Sequence, residues 1–417
     1  MKSKKGLSAP IPRDQLFLIA LCWIVYTAAN IGRYAFSANI VHLTDTFGVS
    51  HAEAGIVTAA FSFCYGVGQL INGILAKRYP MRFLFPVVLF VSGFSDFLLF
   101  AGIPFSAYKY VWAFNGLAQS CLWPTVMQLL GTSLDVAALD GAVLVMSTTT
   151  SVGIFIAYGA SSLFSCLGDY RFSFLFSSLV MALAGLFWLF RFRPSASAVL
   201  SGEENASPAA GEGKKLSFPV LLRTLSVVAI FAFSCNFVRD GLQTWVPTIL
   251  KEQYGFDDSF SIFLTLILPV IGIFGAFFAI RMRKRIKKFV PLCTLFFALA
   301  VWMILPNRLF DPIPFIVAVF LFGVTVMLMF ASNNSATVMA PLRLRGSVNP
   351  GLLAGLMNCC CHLGSTVGSV AFGRGADVRG WRSVFGSLSA FLILVTLIGL
   401  SASLFDWRSK KRSGGDL

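Results

Sequence analysis

Long apolar stretches separated by short polar turns recur along the whole chain. Most are long enough, at roughly twenty residues, to cross a lipid bilayer as an α-helix. The pattern predicts twelve transmembrane helices, at 16–42, 54–76, 83–103, 108–132, 141–165, 172–192, 222–249, 259–281, 289–305, 314–341, 349–373 and 383–405. Residues 194–218 are rich in Ser, Ala, Gly and Glu, and we expect them to form a flexible cytoplasmic linker. The prediction is an all-α membrane protein of two six-helix halves, 1–193 and 219–417.

The composition supports a membrane protein. Hydrophobic residues make up 57% of the chain and charged residues 12%, whereas roughly a quarter of a soluble chain is charged. The first apolar run, from Leu16, continues without a small-residue cleavage site, so we expect it to remain as a helix and not to be removed as a signal peptide. Lipid is therefore the expected surroundings of most of the surface.

The basic residues lie in short clusters between the apolar stretches. This arrangement explains the net charge of +15 without a nucleic-acid partner. If the amino terminus is cytoplasmic, the cytoplasmic segments hold 24 Lys and Arg and the opposite face holds seven, which is the bias that cytoplasmic loops show. We therefore expect both termini in the cytoplasm.

Two basic residues, Arg33 and Arg239, remain inside predicted spans. A charge in the middle of a bilayer costs at least about 2.5–3.5 kcal/mol, so such residues usually have a function. Each is the eighteenth residue of its span, which would place the two guanidinium groups at similar depth between the halves. Because the guanidinium fork matches phosphate and carboxylate oxygens, the pair predicts a binding site for a small anion.

The alternative is a structural role for these arginines, in which internal carboxylates neutralise them or their side chains reach an interface. Asp96 and Asp240 are the acids available within the spans. Asp240 directly follows Arg239, and we expect the two side chains to diverge because successive residues on a helix do not face each other.

Further polar residues share helix faces with the arginines or occur elsewhere within spans. Either lining of the site or hydrogen bonding between packed helices would explain them. His362 follows three cysteines, Cys359 to Cys361, but consecutive helical residues point too far apart to surround one metal ion. We predict no metal and expect these residues to pack between helices; for His362, contact with the substrate or transfer of a proton is the alternative. The candidates are Tyr26, Asn30, Tyr65, Gln69, Asn236, His362 and the pair Asn333 and Asn334.

Several motifs resemble the major facilitator superfamily, and within it the organophosphate:inorganic phosphate antiporters. The most specific lies around Arg239 in the seventh span. The motifs are Gly32 to Ser37, Cys64 to Gly66, Asn72-Gly73, Lys77 to Arg82, Trp123-Pro124, Arg239 to Gly241, Trp245 to Thr248 and Leu250 to Glu252. The resemblance covers nearly the whole chain.

This resemblance implies a major facilitator fold whose halves are related by pseudo-two-fold symmetry, with Arg33 and Arg239 as the paired phosphate-binding residues. It implies exchange of a phosphate ester for inorganic phosphate by rocking of the halves, in a monomer of a prokaryotic inner membrane. Gln69 and Thr150 stand where the glycerol-3-phosphate type has lysine and histidine, and Lys77 replaces the superfamily's usual acid. Tyr26, Gln69, Thr150 and Asn236 would then tune selectivity.

The sequence is also compatible with two other functions. A proton-coupled symporter of an organic carboxylate would need a titratable group in the cavity, for which Asp96, Asp240 and His362 are the candidates. A membrane sensor would bind the anion without transporting it. Because alternating access needs no chemical step, we expect no cofactor and no enzyme activity.

Overall fold

The computed structural model describes residues 12–75, 79–192, 218–310, 313–339 and 350–412. Its first half contains eight helices: α1 (Arg13–Ala38), α2 (Ile40–Phe47), α3 (His51–Leu75), α4 (Met81–Phe100), α5 (Phe105–Gln119), α6 (Leu122–Ser133), α7 (Val136–Cys166) and α8 (Phe172–Arg191). The predicted linker, 194–218, lies outside the described residues except for Phe218, with which the next helix begins. Lys77 also lies outside them.

The second half repeats the pattern of long helices. It contains α9 (Phe218–Tyr254), α10 (Asp258–Thr265), α11 (Ile267–Arg283), α12 (Phe289–Ile304), α13 (Pro306–Leu309), α14 (Phe315–Asn334), the π-helical turn Ser335–Met339 and α15 (Pro350–Arg412). Helix α15 consists of two antiparallel legs, because Gly380 has φ 71° and turns the chain. The left-handed region suits glycine, which has no Cβ to clash.

Among the described residues, ten helices are individually long and apolar enough to cross a membrane. That number agrees with twelve crossings for two reasons. The legs of α15 count as one helix, and the fourth crossing is divided into α5 and α6, each too short alone. Pro124 in the first turn of α6 lacks an N–H and cannot continue the helix from α5.

The two halves meet closely along α3 and the first leg of α15. Glycines of both helices permit this approach. A Cβ on Gly55 would lie 2.6 Å from the Ser369 carbonyl oxygen, and one on Gly66 would lie 2.8 Å from the His362 Cβ. Backbones that approach this closely need small residues in a membrane helix pair. With an even number of crossings, α1 begins and α15 ends at the same end of the bundle, and we call the opposite end the far face.

Candidate functional site

Arg33 lies at the interface between the halves. Its guanidinium carbon is 4.7 Å from the centre of the Tyr65 ring and 5.1 Å from that of Phe61. Aromatic faces attract cations, more strongly where water is excluded. The Arg33 Nη2 atom lies 3.4 Å from Nδ1 of His362, which belongs to the other half. Arginine can only donate, so Nδ1 accepts and the imidazole is neutral in this contact.

Arg239 is buried on α9, with 5% of its surface exposed. Its Nε donates to Oδ1 of Asp240 at 2.7 Å, and its guanidinium carbon lies 4.6 Å from the centre of the Phe330 ring. The expectation that these neighbouring side chains diverge is therefore wrong. The long arginine side chain folds back, since either charge left alone in a low-dielectric interior would cost far more than the bend.

Asp240 also connects α9 to α15. Its second oxygen accepts a hydrogen bond from the Ser365 hydroxyl, and Asn236 donates from Nδ2 to the same hydroxyl at 3.2 Å. Asp240 lies within electrostatic range of both arginines. Among the described residues, Arg33 has no carboxylate within ion-pair distance. With His362 neutral, these groups give the centre one net positive charge.

The other predicted residues have different surroundings. Tyr26 and Tyr65 share a hydrogen bond between their hydroxyl oxygens at 3.3 Å, directly beside Arg33. Gln69 and Asn236 are buried, and each has a side-chain oxygen without a hydrogen-bond partner in the part of the chain that the structure describes. Polar atoms of this kind suit a site that a ligand completes. Their role as lining residues remains a prediction.

Asn30 and Thr150 are less directly connected to the arginines. Asn30 donates to the Tyr26 carbonyl oxygen at 2.8 Å, and a Cβ on Gly153 would lie 2.4 Å from the Asn30 Cβ. Asn30 therefore packs against α7 at Gly153, where the two helices lie close together. Thr150 is half-buried on α7, and no described contact joins it to either guanidinium. Asn333 accepts a hydrogen bond from the Cys361 thiol at 3.3 Å.

Sequence reasoning missed a cluster of ion pairs that joins the halves at the far face. We call it the far-face lock. His42, Asp45 and His51 come from the first half, and Lys251, Glu252, Asp258 and Asp377 from the second. The available signal was two of the chain's three histidines at the ends of predicted spans, close to acids.

His51 is the centre of this lock. Its Nδ1 lies 2.6 Å from Asp377 Oδ1 and its Nε2 lies 2.8 Å from Glu252 Oε1. Asp377 also accepts from the backbone N–H groups of His51 and Ala52, so one half caps the first turn of a helix in the other. Trp381 donates from Nε1 to Glu252 Oε2 at 2.7 Å.

A second set of ion pairs lies beside His51. Lys251 contacts both Asp258, at 2.8 Å, and Asp45, while His42 Nδ1 lies 2.9 Å from Asp258 Oδ2. Among the described residues, every ion pair between the halves belongs to the far-face lock. The halves are therefore tied together at the far face in this conformation.

Comparison with known proteins agrees with this architecture. The profile of the major facilitator superfamily matches residues 22–350. The chain belongs to this superfamily. It is 24% identical over 443 residues to the glycerol-3-phosphate transporter of Bacillus subtilis (strain 168), covering 98% of this chain and 95% of the relative. It is also 24% identical over 417 residues to sugar phosphate exchanger 3 of Mus musculus, covering 89% and 82%.

Solved structures show the same fold. A bacterial homologue of the human lysosomal transporter Spinster, crystallised in an inward-facing and occupied conformation, superposes with a TM-score of 0.74 at 15% identity, covering 93% of this chain and 96% of that one. The predicted major facilitator fold, multi-pass membrane insertion and resemblance to the organophosphate antiporters are confirmed. The protein is a transporter of this superfamily and not an enzyme.

Proposed function

We propose that this transporter exchanges a small phosphate ester for inorganic phosphate, and that Arg33 and Arg239 bind the phosphoryl group. The observation that carries the proposal is an arginine at the interface of the halves, Arg33, whose described neighbours are aromatic rings and a neutral imidazole. A cation in such surroundings favours an anionic ligand, because a phosphate would supply the missing charge and acceptors.

Arg239 would contribute its terminal nitrogens. Asp240 engages the Arg239 Nε, and the two Nη groups can then form the planar fork that suits two oxygens of one phosphate. Asp240 thereby orients the guanidinium and keeps it from repelling Arg33 in the empty site. Binding a dianion at a centre with one net positive charge would also draw the halves together around it.

The mechanism is alternating access. The site lies between two six-helix halves, for which we propose the boundaries 1–193 and 219–417. Residues 194–218 would form the linker between them. A substrate can reach the site from the far face only when the far-face lock is open. It can reach the site from the other side when the lock is closed, which is the state of the lock in this structure. We place the termini in the cytoplasm of a prokaryotic cell and the far face outside, on the distribution of Lys and Arg.

Proton-coupled symport of a carboxylate has less support from the site. Asp96 is fully buried between α4 and α8, where Ser177 donates to it. Asp240 is paired with Arg239, which leaves His362 as the titratable group that contacts Arg33. Uptake of a carboxylate that rises with an acidic exterior, without phosphate exchange, would favour this second function.

The direct test is counterflow in proteoliposomes. Vesicles containing purified protein are loaded with glycerol 3-phosphate, glucose 6-phosphate or inorganic phosphate, and entry of radiolabelled phosphate is followed. We expect entry to depend on an internal phosphate compound and to fall at least tenfold in Arg33→Gln. Arg171→Gln is the matched control, because Arg171 is paired with Asp169 within one half. Phosphate entry that is equal in empty and loaded vesicles would contradict the exchange.

A further inference from the structure

A crevice at the far face lies between the two legs of α15, where Ala371 and Ser387 are exposed, and neither Arg33 nor Arg239 lines it. It consists of two adjoining cavities of about 380 and 610 Å³ that share Arg379, Ser383 and Ser387. The mouth is near the turn at Gly380, and Phe237 of α9 lies at its deep end.

The mouth of the crevice collects positive charge. Of the seven basic residues on the far face, four line it: Arg308, Arg374, Arg379 and Arg382. Outside the crevice, Lys251 pairs with acids of the far-face lock and Arg171 pairs with Asp169. The hydrogen bonds from Arg171 lower the pKa of Asp169 below its ordinary value. Among the described residues, Arg308, Arg374 and Arg379 have no carboxylate within ion-pair distance. None of the described residues that line the crevice is acidic.

This concentration of positive charge is unexpected at the far face. Basic residues are depleted on the side of a membrane protein that lies opposite its positive loops, and guanidinium groups placed side by side repel one another. An anionic group between them would relieve that repulsion. Phosphate is well suited, because two of its oxygens can accept from one guanidinium while a neighbouring hydroxyl, such as that of Ser383 or Ser387, donates to a third.

The deeper part of the crevice is apolar. Phe237, Ala371, Phe372 and Leu388 line it. Ala371 and Leu388 lie nine and eight residues from Gly380 along their legs, which corresponds to a depth of about 12–14 Å at 1.5 Å per residue. Ala371 is also exposed at the outer surface of the helix pair. A polar mouth above an apolar floor that opens to lipid matches an amphiphile better than a free ion.

We propose that this crevice binds a phospholipid with an anionic headgroup from the leaflet at the far face. The phosphodiester lies among Arg308, Arg374 and Arg379, and the upper part of one acyl chain lies over Ala371 and Leu388. Basic pockets between transmembrane helices bind anionic headgroups in this way. Asp377 of the far-face lock lies between Arg374 and Arg379 in sequence, so the lipid binds the same turn that ties the halves together.

The test measures lipid binding to the whole purified protein, independently of transport. Phosphatidylglycerol and phosphatidylcholine are titrated separately into delipidated protein, and bound lipid is counted by native mass spectrometry. We expect phosphatidylglycerol to bind at least tenfold more tightly than phosphatidylcholine. The Arg308→Gln/Arg379→Gln double variant should lose that preference. The matched control is Lys109→Gln, another far-face basic residue that lies outside the crevice.

A second variant tests the apolar floor without removing charge. In Ala371→Trp the indole should fill the floor, and binding of phosphatidylglycerol should fall at least fivefold although all four arginines remain. Equal binding of phosphatidylglycerol by the wild type and the double variant would overturn the proposal. So would displacement of the lipid by millimolar inorganic phosphate, which would identify the crevice as a site for a free anion.

Discussion

The arginine centre and the far-face lock both join the two halves through charged side chains, but they differ in how completely those charges are paired. At the centre, Arg239 is paired with Asp240 while Arg33 faces rings and a neutral imidazole. In the lock, His51 contacts two carboxylates and Lys251 contacts two more. An incompletely paired cluster favours a ligand, whereas a paired one favours closure. We therefore propose that charged residues serve binding at the centre and conformational control in the lock.

Removing Arg239 should have the largest effect on the centre. In Arg239→Gln, Asp240 keeps its charge, so the net charge of the centre falls from one positive to zero and a buried carboxylate is left without its partner. We expect phosphate exchange to fall at least 100-fold, about 2.8 kcal/mol at ~1.4 kcal/mol per tenfold change. Initial rates of phosphate counterflow measure the loss.

The double variant Arg239→Gln/Asp240→Asn separates two causes of that loss, the missing guanidinium and the unpaired carboxylate. It restores one net positive charge but leaves a single guanidinium, so exchange should recover in part and stay below the wild type. A double variant that is as inactive as Arg239→Gln would show that the guanidinium fork, and not the unpaired carboxylate, accounts for the whole loss. Full recovery would contradict the role of Arg239 in binding.

Removing Asp377 should open the lock. The substitution Asp377→Asn weakens an ion pair to His51 and the acceptor for two backbone N–H groups of α3. The caps of helices contribute about 1 kcal/mol, so we expect a roughly fivefold shift toward the open far face. Hydrogen–deuterium exchange of the segment around His51 should accelerate, whereas the matched variant Asp169→Asn, whose ion pair lies within one half, should leave it unchanged.

Raising the pH should weaken the lock by a smaller factor. Both ring nitrogens of His51 can donate to Glu252 and Asp377 at once only when the imidazole is protonated. The closed form therefore binds this proton more tightly than the open form does. The population of the closed form falls as the pH rises through the titration of His51. His42, Lys251 and Asp258 lie in the adjoining part of the lock, and Glu53 lies on the same helix.

Tryptophan fluorescence reports this titration, because His51 packs 5.4 Å from Trp245 and 5.8 Å from Trp381 between ring centres. Despite burial, the carboxylate partners of His51 raise its pKa, so we expect the change at a pH above the ordinary titration range of histidine. The change should be absent in His51→Gln and correspond to roughly a threefold shift toward the open far face. An identical fluorescence titration in His51→Gln would assign the signal to another group.

The features that could be predicted from the sequence depend on local patterns. Span length and loop charge located the twelve crossings and isolated Arg33 and Arg239, because an arginine within an apolar stretch is conspicuous by itself. The division of the fourth crossing was missed, although Pro124 in its second part is a local signal. The folded-back Arg239 was missed because helical spacing describes Cβ directions and not the reach of a long side chain.

The far-face lock could not be found in this way. His51 is 201 residues from Glu252 and 326 from Asp377 along the chain. Each is an ordinary charged or polar residue at the end of a span, where many such residues are simply hydrated. Only the packing of α3 against α15, which glycines such as Gly55 and Gly373 permit, brings these residues together.

Equilibrium binding of inorganic phosphate to the purified protein tests the charge of the centre most directly. Phosphate affinity is compared by calorimetry at fixed pH and salt among the wild type, Arg33→Gln and Asp240→Asn. If the centre is a phosphate site with one net positive charge, affinity should fall at least tenfold in Arg33→Gln and rise severalfold in Asp240→Asn. Equal affinities in all three proteins would place the phosphate elsewhere and contradict the account.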